Sequence, residues 1–267
     1  FDFLFHGKDT LVHQRPYHPQ HPLVAQLPGI RYAITANGAA VWDMGTDPLG
    51  AVYSRYSDAP QRPTHEPVLL ERHYLPPETA REVFALYREY HGPLSIFSDG
   101  RSYLDGTGMA LFQDRHIQRH STEARQPDDG RTHVVRDLDE WMSRHAHEVE
   151  KFCMFFDSIE IAQAALVRFR AFPGIEVVQG APDNVEVTAA GVDKGTALLA
   201  LADRLGIPRE ATLAIGDSDN DRAMLARAGV AAVMANALPE IRALGDIVST
   251  CDNDHDGVAE LFERLGL

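Results

Sequence analysis

Residues 214–225 read AIGDSDNDRAML and place Asp217, Asp219 and Asp221, with Asn220 among them, inside five positions. Carboxylates this close repel one another unless something positive sits between them. Hard oxygen donors of this kind suit Mg²⁺, whereas the EF-hand spacing for calcium fails here: Arg222 stands where glycine is needed and Ala228 where the last carboxylate is needed. The apolar run Leu213–Ile215 precedes the loop and a helical pattern follows it. The loop is therefore expected at the C-terminal end of a strand, where open α/β sheets bind ligands, and at a helix N-terminus, which favours anions. Asp217, nearest the strand end, is the first candidate for a metal ligand. Helix capping by Asp219 or Asn220 is the simpler alternative, but one cap does not need three carboxylates.

Other residues bear on the same chemistry. Lys194, in AGVDKGTALL, falls in the first turn of an expected helix, where a cation opposes the helix dipole. The bland reading is a solvated lysine behind an Asp193 N-cap. The run DNDHDGVAELFE, Asp252–Glu263, satisfies the calcium-loop pattern D-x-D-x-[DN]-G-x5-E, but DIVST before it reads as a strand, so a turn and helix cap are expected. The pairs His116/His120 and His145/His147 could each start a zinc site, yet spacing supplies no third ligand.

The elements that must position these residues are clearest in the last 75 or so positions. Helix KGTALLALADRLG, strand ATLAIG, helix RAMLARAG, strand VAAVMA, helix PEIRALG, strand DIVST and a final helix alternate in short units, which implies βαβ crossovers and a parallel sheet. Upstream, IRYAIT and AAVW flank Asn37-Gly38, a hairpin signal. A helix over 78–90, a strand over 94–98, a strand over 151–156, a helix over 159–172 and paired strands at 175–180 and 184–189 follow. Residues 1–27 read as irregular, 44–75 as loop-rich and polar, and the stretch to about 150 as polar with many histidines.

Composition narrows the class. A net charge of −14 argues against nonspecific nucleic-acid binding and against an anionic membrane surface. Two cysteines, Cys153 and Cys251, offer neither a disulfide framework nor a cysteine zinc cluster. No apolar run approaches the ~18 residues of a membrane span. A cytoplasmic location is expected.

Taken together, VDKGTALLALADRLGI, LAIGDSDNDRAML, AVMANALPEI and DGVAELFERLG resemble the C-terminal core of haloacid dehalogenase-superfamily phosphatases, closest to the Cof-type class IIB subfamily. ITANGAAVWD resembles the segment just before that subfamily's cap. The resemblance implies an α/β Rossmannoid core over 1–43 and 187–267 and an inserted α/β cap over 44–186. It implies Mg²⁺-dependent hydrolysis of small phosphate monoesters of the sugar-phosphate type, through an aspartyl-phosphate. By motif, Lys194 would offset charge on the phosphoryl group and contact substrate. Asn220 would contact substrate or phosphate, and Asp217 and Asp221 would serve the metal. The cap would close over the site and select a small phosphorylated metabolite.

One part of the family pattern is absent. The motif D-x-D-x-T, which carries the nucleophile and the acid/base, occurs nowhere in the 267 residues. Aligning Thr10-Leu11-Val12 with its usual ending puts His6 at the nucleophile and Lys8 at the acid/base, and His13-Gln14-Arg15-Pro16 stands where Thr-Gly-Arg-Pro is usual. YLDGTG, 103–108, mimics the motif with Tyr103 for the nucleophile, but a Gly-rich turn inside the cap explains it. The chain opens FDFLF without an initiator Met and reads as a scaffold with an eroded or truncated start, weakly active or inactive. The alternative is a pseudoenzyme that binds Mg²⁺ and phosphorylated ligands.

Overall fold

The computed structural model describes residues 2–4, 9–12, 30–45, 67–120 and 132–267, with side chains at 31–45, 67–114 and 132–267. The chain divides into two compact units. Among described residues, the first holds those up to Arg72 and Val192–Leu267, and the second His73–Gly191.

The first unit begins with β1 (Asp2–Leu4), β2 (Asp9–Val12), β3 (Ile30–Thr35), β4 (Ala40–Asp43) and β5 (Val68–Arg72). The Asn-Gly signal forms the expected antiparallel β3–β4 hairpin, with Asn37 at φ 56° and Gly38 at φ 101°. A Cβ on Gly38 would lie 2.4 Å from the Asp193 carbonyl oxygen, so this turn needs glycine for space as well as for its φ.

The second unit holds α1 (Pro77–Tyr87), β6 (Leu94–Ser98), β7 (Arg101–Asp105), α2 (Gly106–His120), β8 (Thr132–Val135), α3 (Leu138–His145), β9 (Lys151–Phe155), α4 (Ile159–Arg170), β10 (Ile175–Val178) and β11 (Asn184–Ala189). Its strands form one sheet in the order β10-β11-β9-β6-β7-β8, antiparallel except for the β7–β8 pair. Rings of Tyr87, Phe152 and Phe169 pack at centroid distances of 5.7 and 4.3 Å and seat α1 and α4 on this sheet. β7, α2, β8 and α3 occupy the polar, histidine-rich stretch to which the sequence assigned no element.

The chain then returns to the first unit with α5 (Lys194–Arg204), β12 (Leu213–Gly216), α6 (Arg222–Arg227), β13 (Val230–Val233), α7 (Pro239–Arg242), β14 (Ile247–Val248) and α8 (Gly257–Leu265). Along β12 the side chains alternate. Ala214 joins Ile34, Leu198, Leu201, Met224, Val233 and Ile241 in one apolar cluster, while Leu213 and Ile215 join Ala232, Met234 and Leu261 in another. Helices α5, α6 and α7 thus cover one face of the sheet and α8 the other, a three-layer α/β arrangement.

Strand order in this sheet is β14-β13-β12-β1-β2-β3-β4-β5 among the described residues. The β12–β13–β14 run is parallel, as expected, and so is β2–β3. Between them β1 runs antiparallel to both neighbours, with Leu4 opposite Ala214. The chain therefore leaves β1 at the end of the sheet opposite to Asp217. It leaves β2, at Val12, at the same end of the sheet as Asp217. Sequence alone read residues 1–27 as irregular and aligned a single run with the nucleophile strand. The strand beside β12 instead points the other way.

Candidate active site

The acidic loop leaves β12 at Gly216 and turns through a 3₁₀ segment, Asp219–Asp221, into α6. A Cβ on Gly216 would come within 2.6 Å of the Asp221 Cβ, so glycine there lets the loop fold back over its own strand end. The three carboxylates do not face one another unshielded, because each has its own partner. Asp219 Oδ1 accepts from Arg222 Nε at 2.9 Å. Asp221 Oδ1 accepts from Lys194 Nζ at 2.5 Å, and its Oδ2 accepts the backbone N–H of Asp217 and Ser218, both at 3.0 Å. Asp217 Oδ1 accepts from the Ser218 hydroxyl at 2.9 Å, and its Oδ2 from Asn236 Nδ2 at 2.6 Å.

The positive group beside Asp221 is Lys194, whereas the sequence reading put Mg²⁺ among the carboxylates. Lys194 is 1% exposed, Asp221 is 1% and Asn220 is 5%, and Lys194 Nζ also donates to Asn220 Oδ1 at 3.3 Å. The solvated-lysine reading does not hold, although Asp193 does cap α5, accepting from the Thr196 N–H at 2.7 Å. Burial raises the pKa of the Asp221 carboxyl, but the Lys194 ammonium and the two backbone donors outweigh burial and hold it below the usual carboxylate range. Close packing makes this geometry: a Cβ on Gly195 would lie 2.3 Å from the Ala223 carbonyl oxygen, so α5 and α6 touch backbone to backbone here.

These positions bring Lys194, Asn220, Asp217 and Asp221 to one end of the parallel strands. His6, Lys8 and residues 13–16 lie outside the described residues. The YLDGTG mimic lies in the second unit, where Asp105 Oδ1 accepts the Gly108 N–H at 2.7 Å and caps α2. The DNDHDG run is a turn between β14 and α8, not a loop between two helices, with Asp252 Oδ1 accepting the Asp254 N–H at 3.0 Å. The side chains of His116 and His120 lie outside the described residues. His145 pairs with Glu148 and stacks on Trp141.

Mg²⁺, which the fold family implies, can be tested against these donors. No group of three or more His, Cys, Asp or Glu side chains suited to a metal ion is present among the described residues. A carboxylate has about four acceptor positions, and three of Asp221's are taken by Lys194 and the loop backbone. Among the described residues Asp217 has one hydrogen bond on each oxygen, which leaves a further lone pair on each. These donors are compatible with Mg²⁺, which Asp217 would contact, while Asp221 is committed to Lys194 and the loop backbone. That agrees with an ion that keeps several waters and uses one or two carboxylates plus a phosphate.

A family profile described as haloacid dehalogenase-like hydrolase matches residues 64–262. The chain belongs to the haloacid dehalogenase-like hydrolases. The phosphatase YwpJ of Bacillus subtilis is 38% identical to this chain over 114 residues, 43% of the chain and 39% of that protein. The chain spans about half or less of the length of the first curated relatives it matches. A haloacid dehalogenase-like hydrolase from B. subtilis superposes with a TM-score of 0.72 at 23% identity, covering 96% of this chain and 87% of that one. A HAD subclass IIB sugar phosphatase superposes with a TM-score of 0.66 at 19% identity, covering 96% and 85%. At these identities the likeness speaks for the fold, a haloacid dehalogenase core with a cap. The family match begins at residue 64, downstream of the positions that align with the nucleophile motif. No helix among the described residues is long and apolar enough to cross a membrane.

Two features were not read from sequence. Asn236 follows β13 as Asp217 follows the neighbouring β12, and adjacent parallel strand ends were the available signal. Lys151 and Glu186 form a buried pair at 3.1 Å in the second unit, and nothing in the apolar run KFCMFF marked the lysine as paired.

Proposed function

We propose that this chain handles small phosphate monoesters of the sugar-phosphate type on a phosphatase scaffold, and that it turns them over weakly or not at all. The observation that supports this reading is the direction of β1. In this sheet the strand beside β12 is antiparallel, so its C-terminal end does not lie beside Asp217, and no D-x-D-x-T occurs in the sequence to supply a nucleophile.

The remaining residues have definite work. Lys194 holds a positive charge at the sheet end and offsets that of a bound phosphoryl group. Asn220, beside it, presents its amide to the same group. Asp221 keeps the lysine charged and the loop folded. Asp217 is the contact for Mg²⁺, which when bound would neutralise phosphate charge. The division into core and cap, near residues 43 and 187, and the cap's choice of ester belong to the same proposal.

A binding role without turnover is the second reading, favoured by the intact Lys194–Asn220–Asp221 cluster. Calorimetry of the full chain with Mg²⁺ and orthovanadate tests both. Heat that is lost in Asp217→Asn is expected, and no heat at all counts against them.

A further inference from the structure

The DNDHDG turn is singled out by its sequence, yet neither calcium nor the phosphatase reading uses it. It makes one contact toward the site: the Asn253 N–H donates to Asn236 Oδ1 at 3.1 Å. The same Asn236 gives its Nδ2–H to Asp217 Oδ2 at 2.6 Å. An amide that receives on one side and donates on the other cannot flip without losing both bonds.

The seat of this amide is tightly specified. The Ala235 N–H donates to Ser249 Oγ at 2.9 Å, and Ser249 Oγ donates to the Cys251 carbonyl at 2.5 Å. The Glu260 carboxylate takes the N–H groups of Thr250 and Cys251, at 2.8 Å for its closer bonds. Asp252 Oδ1 holds the Asp254 N–H at 3.0 Å and the His255 ring at 2.6 Å. A Cβ on Gly257 would lie 2.4 Å from the Cys251 carbonyl oxygen, so the turn closes onto the chain beneath it.

The geometry points to Asn236 as a positioning residue for Asp217, with the 252–256 turn as the support that orients its amide. The chain of contacts, turn to Asn236 to Asp217, fixes one oxygen of the carboxylate that would meet the metal. Groups behind a ligand orient it and tune its affinity. This inference rests on the reading of Asp217 as the metal contact. Asn236 is exposed, so its replacement leaves the core intact.

Electron paramagnetic resonance titration of the full chain with Mn²⁺ alone, as a reporter for Mg²⁺, compares wild type, Asp217→Asn, Asn236→Ala and Asp252→Ala. Asp217→Asn is expected to lose the site, and Asn236→Ala to weaken it about tenfold. Asp252→Ala is expected to weaken it in the same direction. Wild-type affinity in Asn236→Ala, in a protein where Asp217→Asn loses the site, overturns the positioning role. Wild-type affinity in Asp252→Ala overturns the part given to the turn. If the wild type binds no Mn²⁺, or Asp217→Asn binds it equally well, the metal reading of Asp217 fails. Urea unfolding in EDTA of Asp217→Asn, Asn236→Ala and their combination then decides. Coupling between the two sites upholds the positioning role, and strict additivity overturns it.

Discussion

Lys194 Nζ lies 2.5 Å from Asp221 Oδ1, with both side chains almost sealed from solvent. Removing one partner of such a pair strands a buried charge, whereas removing both is far milder. Lys194→Met is expected to destabilise the first unit by about 3–5 kcal/mol. Adding Asp221→Asn should recover much of that loss. Urea unfolding of the two variants checks this, and equal stability of Lys194→Met and wild type would refute the buried pair.

Gly195 lies inside helix α5, where alanine is ordinarily better by about 1 kcal/mol. Its Cβ would meet the Ala223 carbonyl oxygen at 2.3 Å and the Met224 nitrogen at 2.9 Å. The clash is with backbone, so Gly195→Ala is expected to destabilise by about 1–3 kcal/mol, the reverse of the propensity effect. Thermal denaturation reads the sign directly.

Glu260 shows a pH dependence. Hydrogen bonds from the Thr250 and Cys251 N–H groups pull its pKa from 4.5 to about 2. A carboxyl depressed in the folded state contributes stability that is complete above its unfolded pKa and is lost as pH falls toward the folded one. The thermal midpoint should therefore drop between about pH 4.5 and pH 2, and less steeply in Glu260→Gln. Parallel slopes for the two proteins would contradict the assignment.

The cysteines should differ in reactivity. Burial, then the Glu186 carboxylate beside it, pushes the Cys153 thiol far above its ordinary range, and thiols react as thiolates. Cys251 is partly exposed. A thiol-disulfide reagent is expected to label Cys251 and spare Cys153 in the native protein, and to label both after unfolding. Native labelling of Cys153 would show that the second unit is looser than its packing implies.

The C-terminal elements were legible because short apolar runs alternate with helical patterns there. The places of Asp217, Lys194 and the α5 cap in the chain's elements were readable from the sequence. Lys194 stood out because it lies on the βα unit before the acidic loop, its place in a helical first turn being indecisive alone. The histidine-rich stretch hid β7, α2, β8 and α3, because the strands lie toward a sheet edge and mix polar with apolar positions. The direction of β1 could not be read either, since a three-residue strand carries no signal of which way it pairs. Asn236 was invisible for a related reason: its partners, Asp217 and Asn253, are distant in sequence and meet only through the sheet.

We propose that these 267 residues supply no aspartyl nucleophile to the phosphatase scaffold. Steady-state hydrolysis of p-nitrophenyl phosphate and of a small sugar phosphate, with and without Mg²⁺, tests it on wild type and Asp217→Ala. The expected result is negligible turnover in both proteins, indistinguishable from each other. Mg²⁺-dependent turnover by the wild-type chain that disappears in Asp217→Ala would contradict the claim.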